Sequence, residues 1–341
     1  MSDHLLEVED LRVHFPTDDG LVKAVDGSSF TIRRGRTLGV VGESGSGKSI
    51  TFMAVMGLLG GSRARIQGQA RFEGYDLLTA SPEEMRHIRG DRIGMIFQDP
   101  MTSMHPMYRV GDQIAEAIRA HRPVSRSAAR QQAVDALRSV GIPAPEERAR
   151  QYPHQFSGGM RQRAMIAMAL VLDPDLLIAD EPTTALDVTV QAQILELIEE
   201  LKERLNIGVA LISHSLATVA DVADDVMVMY AGRPIEQGTR DEVFAAPLHP
   251  YTWGLLGSVP HVDRKVDRLI PIEGTPPSLI RLPPGCAFAP RCPHRFDRCV
   301  EERPELANRG GGHLEACHLE PASRAELRDR QLAVTEGAAG D

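Results

Sequence analysis

Apolar and polar residues alternate from Leu5 to Phe15 and again from Ser29 to Ile32, the period of strands with one buried face. Leu38-Gly39-Val40-Val41 breaks that alternation as an unbroken apolar run, which predicts a strand buried on both faces. A glycine-rich turn follows, and Ile50 to Leu59 reads as a buried helix. From about Pro82 to Leu172 the period lengthens. Gly111–Arg119 and Ser127–Val140 interleave charged and apolar residues at helical spacing, which predicts a helical insertion. Pro143, Pro145 and Pro153 interrupt it. Leu176–Ala179 is a second buried strand, ending on Asp180-Glu181. A helix is expected from about Val190 to Leu205, and Gly208–Ser213 is a third strand, ending on His214. Val226–Tyr230 and Pro234–Gly238 flank Gly232 as a hairpin. Strands alternating with helices predict an α/β core around a parallel sheet.

Beyond about Gly238 the chain turns to proline, glycine and histidine. Eight prolines between Pro247 and Pro284 work against long regular elements there. Residues from about Pro321 to Asp341 are polar and alanine-rich, and are expected to be a flexible tail. The organisation read from these shifts is a domain over 1–240 with its helical insertion at about 99–172, an extension over 241–320, and the tail 321–341.

The chain has 341 residues and a net charge of −9, with short basic runs such as Arg33, Arg34 and Arg36 set among acidic residues. That balance argues against nucleic acid as a partner. No stretch approaches the roughly 20 apolar residues of a membrane span, and the first residues lack the pattern of a secretory signal. A cytoplasmic location is expected, with any membrane role mediated by a partner. All four cysteines, Cys286, Cys292, Cys299 and Cys317, fall in the last fifth of the sequence. In a cytosolic chain such clustering points to a metal or cluster site rather than disulfides.

Gly42-Glu43-Ser44-Gly45-Ser46-Gly47-Lys48-Ser49 fits the phosphate-loop pattern G-x-x-x-x-G-K-[ST] in full. It lies between a predicted strand and a predicted helix, as its mechanism requires. Glycines let backbone amides curl around phosphate oxygens, and the helix that opens toward Ile50 adds its positive end. Lys48 is expected to reach the β- and γ-phosphates, and Ser49 to ligate Mg²⁺. The expected ATP contacts are Gly42, Ser44, Gly45, Gly47, Lys48, Ser49 and Ile50. Asp180 is placed to hold the metal shell and Glu181 to orient or deprotonate the attacking water.

Phe156-Ser157-Gly158-Gly159-Met160-Arg161-Gln162 precedes the second buried strand. With it the sequence resembles the nucleotide-binding domain of ATP-binding cassette (ABC) proteins, whose signature is an SGG-x-x-Q run. Gln98 in IFQDP resembles that family's Q-loop and Asp180-Glu181 its Walker B pair. Ala185-Leu186-Asp187 resembles the D-loop, and His214 the switch histidine. Phe15 is the candidate aromatic that stacks on adenine. The resemblance implies a P-loop NTPase fold with a RecA-like core, an antiparallel β subdomain and a helical subdomain. It also implies an ATP site shared across two subunits, with Ser157, Gly158, Gly159 and Gln162 acting in trans. Catalytic roles fall to Glu181 and His214, and Mg²⁺ contacts to Ser49 and Gln98.

DPMTSMHP (Asp99 to Pro106), ADEPTTALDVTVQAQIL, HPYTWGLLGSVP, GTPPSL and PPGCAFAPRCP are similar to one branch of the family, the ATP-binding subunits of dipeptide and oligopeptide importers. His105 stands where that branch usually has asparagine, and Ser215 where it has aspartate. The resemblance implies a peripheral subunit on the cytoplasmic face of the cell membrane. Its expected partners are a second ATPase subunit, identical or paralogous, two transmembrane permease subunits and an extracytoplasmic peptide-binding protein. Nickel and glutathione are alternative cargoes within the branch, and a soluble ABC ATPase outside transport is the reading from another class. In related subunits a similar tail carries an iron–sulfur cluster. The four cysteines lack tight C-x₂-C pairs, which favours [4Fe–4S] over zinc.

Overall fold

In this computed structural model, residues 4–98, 103–184, 186–258, 272–308 and 311–337 are described, without side chains for 332–337. Strands β1 (His4–Thr17), β2 (Gly20–Arg33) and β3 (Thr37–Val41) open the chain, followed by β4 (Arg65–Phe72), β5 (Tyr75–Asp76) and β6 (Ile93–Ile96). Then come β7 (Leu176–Asp180), β8 (Gly208–Ser213), β9 (Asp225–Tyr230), β10 (Arg233–Thr239), β11 (Ala307–Asn308) and β12 (Leu314–Glu315). Contacts divide the chain into two units. One comprises residues 1–6, 31–37 and 71–212, the other 7–30, 38–70 and 213–341.

In the first unit β6, β7 and β8 run parallel, with Ile93 opposite Leu176 and Leu176 opposite Gly208. Every residue of β7 and β8 is buried, which is why both read as unbroken apolar runs. The helices Val110–His121 and Arg126–Ser139 form the insertion expected from the helical period, and Gly158–Leu170 packs against both. Ile114, Ile118, Ala133 and Leu137 are fully buried. Ser125 caps the second of these helices by accepting from the Ala128 amide at 3.1 Å.

In the second unit β3 runs parallel to β9, and β10 returns antiparallel through the turn at Ala231-Gly232. β12 pairs with β10 and β11 with β12, both antiparallel, so parallel and antiparallel strands mix. Glu236 on β10 is fully buried. Its Oε1 accepts from the Leu248 amide at 2.6 Å and from His313 Nε2 at 2.9 Å. Its Oε2 accepts from the His249 amide at 2.9 Å and from Thr252 Oγ1 at 2.6 Å. One carboxylate thus fixes the start of the helix Pro250–Gly257.

Several elements differ from the sequence reading. β6 is a strand inside the segment expected to be helical. β4 is also present, exposed over its first five residues and therefore without an alternating signal. The helix after the phosphate loop spans Lys48–Val55 and yields to a turn at Gly57, whose φ is 61°. Pro321–Gly337 is a helix, where the polar composition suggested a flexible tail. The last residues of that expected tail, 338–341, lie outside the described residues, as do 99–102 of the DPMTSMHP stretch and Ala185 of the D-loop.

Candidate nucleotide site

β3 delivers the chain to Gly42 with all five strand residues buried. A Cβ at Gly42 would stand 2.2 Å from the Met229 carbonyl oxygen. One at Gly47 would stand 2.4 Å from that of Ala24, at a φ of 100°. Only glycine fits these approaches, which bring the loop against its own strands. Gly47 is also the residue before the helix Lys48–Val55, and no side chain caps that helix. A helix start of this kind turns the positive end of its dipole toward an anion. Lys48 is buried, and its Nζ donates to the carbonyls of Gly42 at 2.7 Å and Glu43 at 3.0 Å. The buried Ser46 hydroxyl has no hydrogen-bond partner among the described residues. A buried, unpartnered hydroxyl in a glycine-rich loop at a helix start suits a polyphosphate. Ser44 and Gly45 are exposed, Ser49 and Ile50 half-buried. Phe15 lies half-buried on β1 in the same unit, and His214 is exposed just after β8.

The first unit assembles a second group. Asp180 ends β7 and is 5% exposed. Glu181 follows with a φ of 48°, a left-handed backbone that costs a non-glycine residue about 1–3 kcal/mol and tends to mark functional sites. The Glu181 amide donates to the Ile212 carbonyl at 2.9 Å, which holds the turn in place. Gln98 Nε2, beyond β6, donates to Glu181 Oε2 at 2.9 Å, and Thr184 Oγ1 donates to the same oxygen at 2.8 Å. Gln98 and Glu181, 83 positions apart, are thus brought together. Thr184 was missed. Its signal was available: a hydroxyl three residues beyond the acid in a tight turn returns to that acid.

Ser157 caps the helix Gly158–Leu170, accepting from the Met160 amide at 3.3 Å, and Ser157 and Gly158 are exposed. Gly159 is fixed by space, since a Cβ there would meet Val190 Cγ1 at 2.9 Å. Gln162 sits apart from these in environment: it is 1% exposed, and its Nε2 has no partner among the described residues. Asp187 is exposed and caps the helix Val188–Leu205 through the Val190 amide at 3.0 Å. The two departures from the branch pattern keep a local role. Ser215 caps the helix Leu216–Val222 through the Thr218 amide at 3.3 Å, as an aspartate would. His105 Nδ1 accepts from the Met107 amide at 3.2 Å, as an asparagine oxygen would.

The cysteine reading is corrected. Cys286, Cys292, Cys299 and Cys317 border one small cavity, but all four are free thiols. No group of three or more His, Cys, Asp or Glu side chains among the described residues is arranged to hold a metal ion. Iron–sulfur and zinc assignments therefore fall. Without a metal beside them, burial pushes the Cys292 and Cys317 thiols up to about 12 and raises Cys286 as well. Cys299 and Cys317 are buried and Cys286 and Cys292 half-buried, and the Cys286 amide donates to the Cys299 carbonyl at 2.8 Å.

Comparison with known proteins agrees with this geometry. The ABC transporter family model matches residues 25–184, and the model of the oligopeptide/dipeptide transporter C-terminal region matches 235–299. The dipeptide transport ATP-binding protein DppD of Bacillus subtilis is 53% identical over 323 residues, covering 94% of this chain and 96% of that protein. The oligopeptide transport ATP-binding protein OppD of Escherichia coli is 51% identical over 316 residues, 93% of each. A solved structure of a dimeric bacterial ABC transporter cassette superposes with a TM-score of 0.62 at 24% identity, over 69% of this chain and 98% of the cassette. The chain belongs to the ABC transporter ATP-binding proteins, in the oligopeptide/dipeptide transporter branch.

Proposed function

We propose that this chain is the ATP-hydrolysing subunit of a peptide importer. The observation that carries the reading is likeness of about 50% along nearly the whole chain to dipeptide and oligopeptide transport ATP-binding proteins, C-terminal region included. No helix among the described residues is long and apolar enough to cross a membrane. On the likeness to peptide transport subunits, its partners would be two permease subunits in the membrane, with this chain on their cytoplasmic face and an extracytoplasmic peptide-binding protein delivering cargo.

ATP would lie on the amides of Gly42–Ser49, with Lys48 leaving the loop carbonyls for the phosphates and Phe15 against the adenine. By motif resemblance, Ser49 and Gln98 would contact Mg²⁺ and Asp180 would hold its shell, and the ion would neutralise charge on the β- and γ-phosphates. Glu181 orients or deprotonates the attacking water. Gln98 and Thr184 hold its Oε2, which fixes the direction of the carboxylate. His214 and Gln98 sense the γ-phosphate. Ser157, Gly158 and Gly159 complete the site of a second ATPase subunit, a role their exposure on a helix start supports. Gln162 belongs to that signature by sequence and acts from within its own helix. Asp187 carries the D-loop role between the two subunits. Residues 1–240 form the nucleotide-binding domain, with 241–320 as its extension.

The test is copurification with the membrane and binding-protein partners in liposomes. ATPase activity should rise only when the binding protein is loaded with peptide. Full activity of the isolated chain, indifferent to those partners, would refute the importer reading. Glu181→Gln should accumulate an ATP-bound dimer on size exclusion; continued turnover in that variant would remove Glu181 from its role.

A further inference from the structure

Glu43, the second residue of the phosphate loop, is gripped from three sides. Lys48 Nζ holds its carbonyl, and its amide donates to the Tyr251 hydroxyl at 2.9 Å. Its carboxylate meets Arg291 in a two-bond fork, Nη1 to Oε2 at 2.7 Å and Nη2 to Oε1 at 3.0 Å. Arg291 lies 248 positions away, on the short turn Ala289–Arg291 just before Cys292. Its side chain is 5% exposed, and the rest of its fork is also committed. Nε donates to the Glu273 carbonyl at 3.0 Å, Nη2 to that of Ile272 at 3.1 Å, and Nη1 reaches the Tyr230 hydroxyl at 3.4 Å. The guanidinium also lies 5.9 Å from the centre of the Tyr230 ring. The bond to Glu43 outweighs burial and raises the Arg291 pKa above its ordinary value.

A planar fork that meets a carboxylate with both arms and is fixed from behind by two carbonyls has one orientation. That orientation matters because Glu43 puts a negative charge in a loop built to receive a highly negative ligand. We propose that Arg291, supplied by the C-terminal segment, is a positioning residue for ATP. It neutralises the Glu43 carboxylate and keeps it turned away from the phosphates. Without it, an uncompensated carboxylate repels ATP across a poorly screened distance. The C-terminal segment is on this account a working part of the nucleotide site.

The inference rests on Gly42–Ser49 being the phosphate loop, so Lys48→Ala is the control. The readout is affinity for the fluorescent analogue N-methylanthraniloyl-ATP, measured on the full chain at low salt. Arg291→Met should weaken binding about tenfold, with the defect shrinking as salt rises. Glu43→Gln together with Arg291→Met should restore affinity to within about threefold of the parent, because the repelling charge is gone. Unchanged affinity in Arg291→Met, or a double variant no better than the single one, would overturn the proposal. Should Arg291→Met not fold, Glu43→Gln decides alone. It removes the charge and leaves the cation, so affinity should hold or rise, and a tenfold loss would refute charge compensation. If Lys48→Ala leaves affinity intact, the phosphate-loop reading itself fails; if only Lys48→Ala matters, that reading stands and the Arg291 proposal falls.

Discussion

Replacing Glu236 by glutamine removes no atom of bulk, yet it should destabilise the second unit measurably. A carboxylate offers about four lone-pair sites on two oxygens. Here Oε1 accepts from the Leu248 amide and His313, and Oε2 from the His249 amide and Thr252. A glutamine amide keeps one accepting oxygen and turns the other into an NH₂ donor. Whichever way the amide is flipped, its NH₂ then faces one backbone N–H, of Leu248 or of His249, that cannot turn to accept; the Thr252 hydroxyl can turn, and the His313 ring nitrogen can accept in its other tautomer. The one bond that must be lost, to a charged acceptor, costs about 1.5–3 kcal/mol. Full burial of Glu236 removes water as a substitute partner. For a unit of this size, that corresponds to a melting point lower by roughly 3–12 °C. Differential scanning calorimetry on the full chain is the assay, with the transition of the C-terminal segment followed by the fluorescence of Trp253, the single tryptophan, which is buried. A loss below about 1 kcal/mol would refute the reasoning, since it would mean the four contacts are not held together in solution. The same change should also loosen the helix start that carries Tyr251 to the Glu43 amide.

Two further predictions follow from buried or shared hydrogen bonds. Thr184→Val keeps the shape and deletes the hydroxyl on Glu181 Oε2. It should slow phosphate release about 10–100-fold in a single-turnover assay while ATP affinity stays within about twofold, and a matched fall in affinity would assign Thr184 to binding instead. His249 is held neutral, its pKa lowered to about 3 by burial and then by the charge of Arg324. Because the unfolded chain binds that proton near its ordinary value, stability should fall as pH drops from about 6.5 toward 3, by up to about 1.4 kcal/mol per pH unit. His249→Asn keeps an acceptor for the Tyr251 amide. It should flatten the denaturation profile over that window, and an unchanged slope would place the acid sensitivity elsewhere.

How far the sequence could be read depended on whether a signal was local. β3, β7 and β8 are buried on both faces, so each announces itself as an apolar run. β6 has the same character, but at four residues, amid charged neighbours, it is too short to stand out against a helical period. β4 gives almost no alternation because most of it faces solvent. In the site, the glycines and the acidic strand end were legible because their chemistry is fixed by adjacent residues. Glu181's bond to Gln98 spans 83 positions and has no local signal. Its left-handed backbone has none either, because strand exit geometry depends on the Ile212 carbonyl from a neighbouring strand. The Arg291 fork to Glu43 spans 248 positions and has no pattern along the chain. The cysteines show the opposite error. Their spacing suggested ligands, but ligation depends on how side chains converge in space, and no group among the described residues is arranged to hold a metal ion.

The backbone of Glu181 has a consequence for how this chain can change. A residue held at a φ of 48° would be eased by glycine or asparagine, which enter that region with less strain. Selection for a sturdier protein would therefore favour losing the acid, and only selection for turnover keeps it. Stability and activity pull in opposite directions at this position. Thermally hardened variants chosen without an activity screen should collect their replacements there, and the loss of the site would look like an improvement.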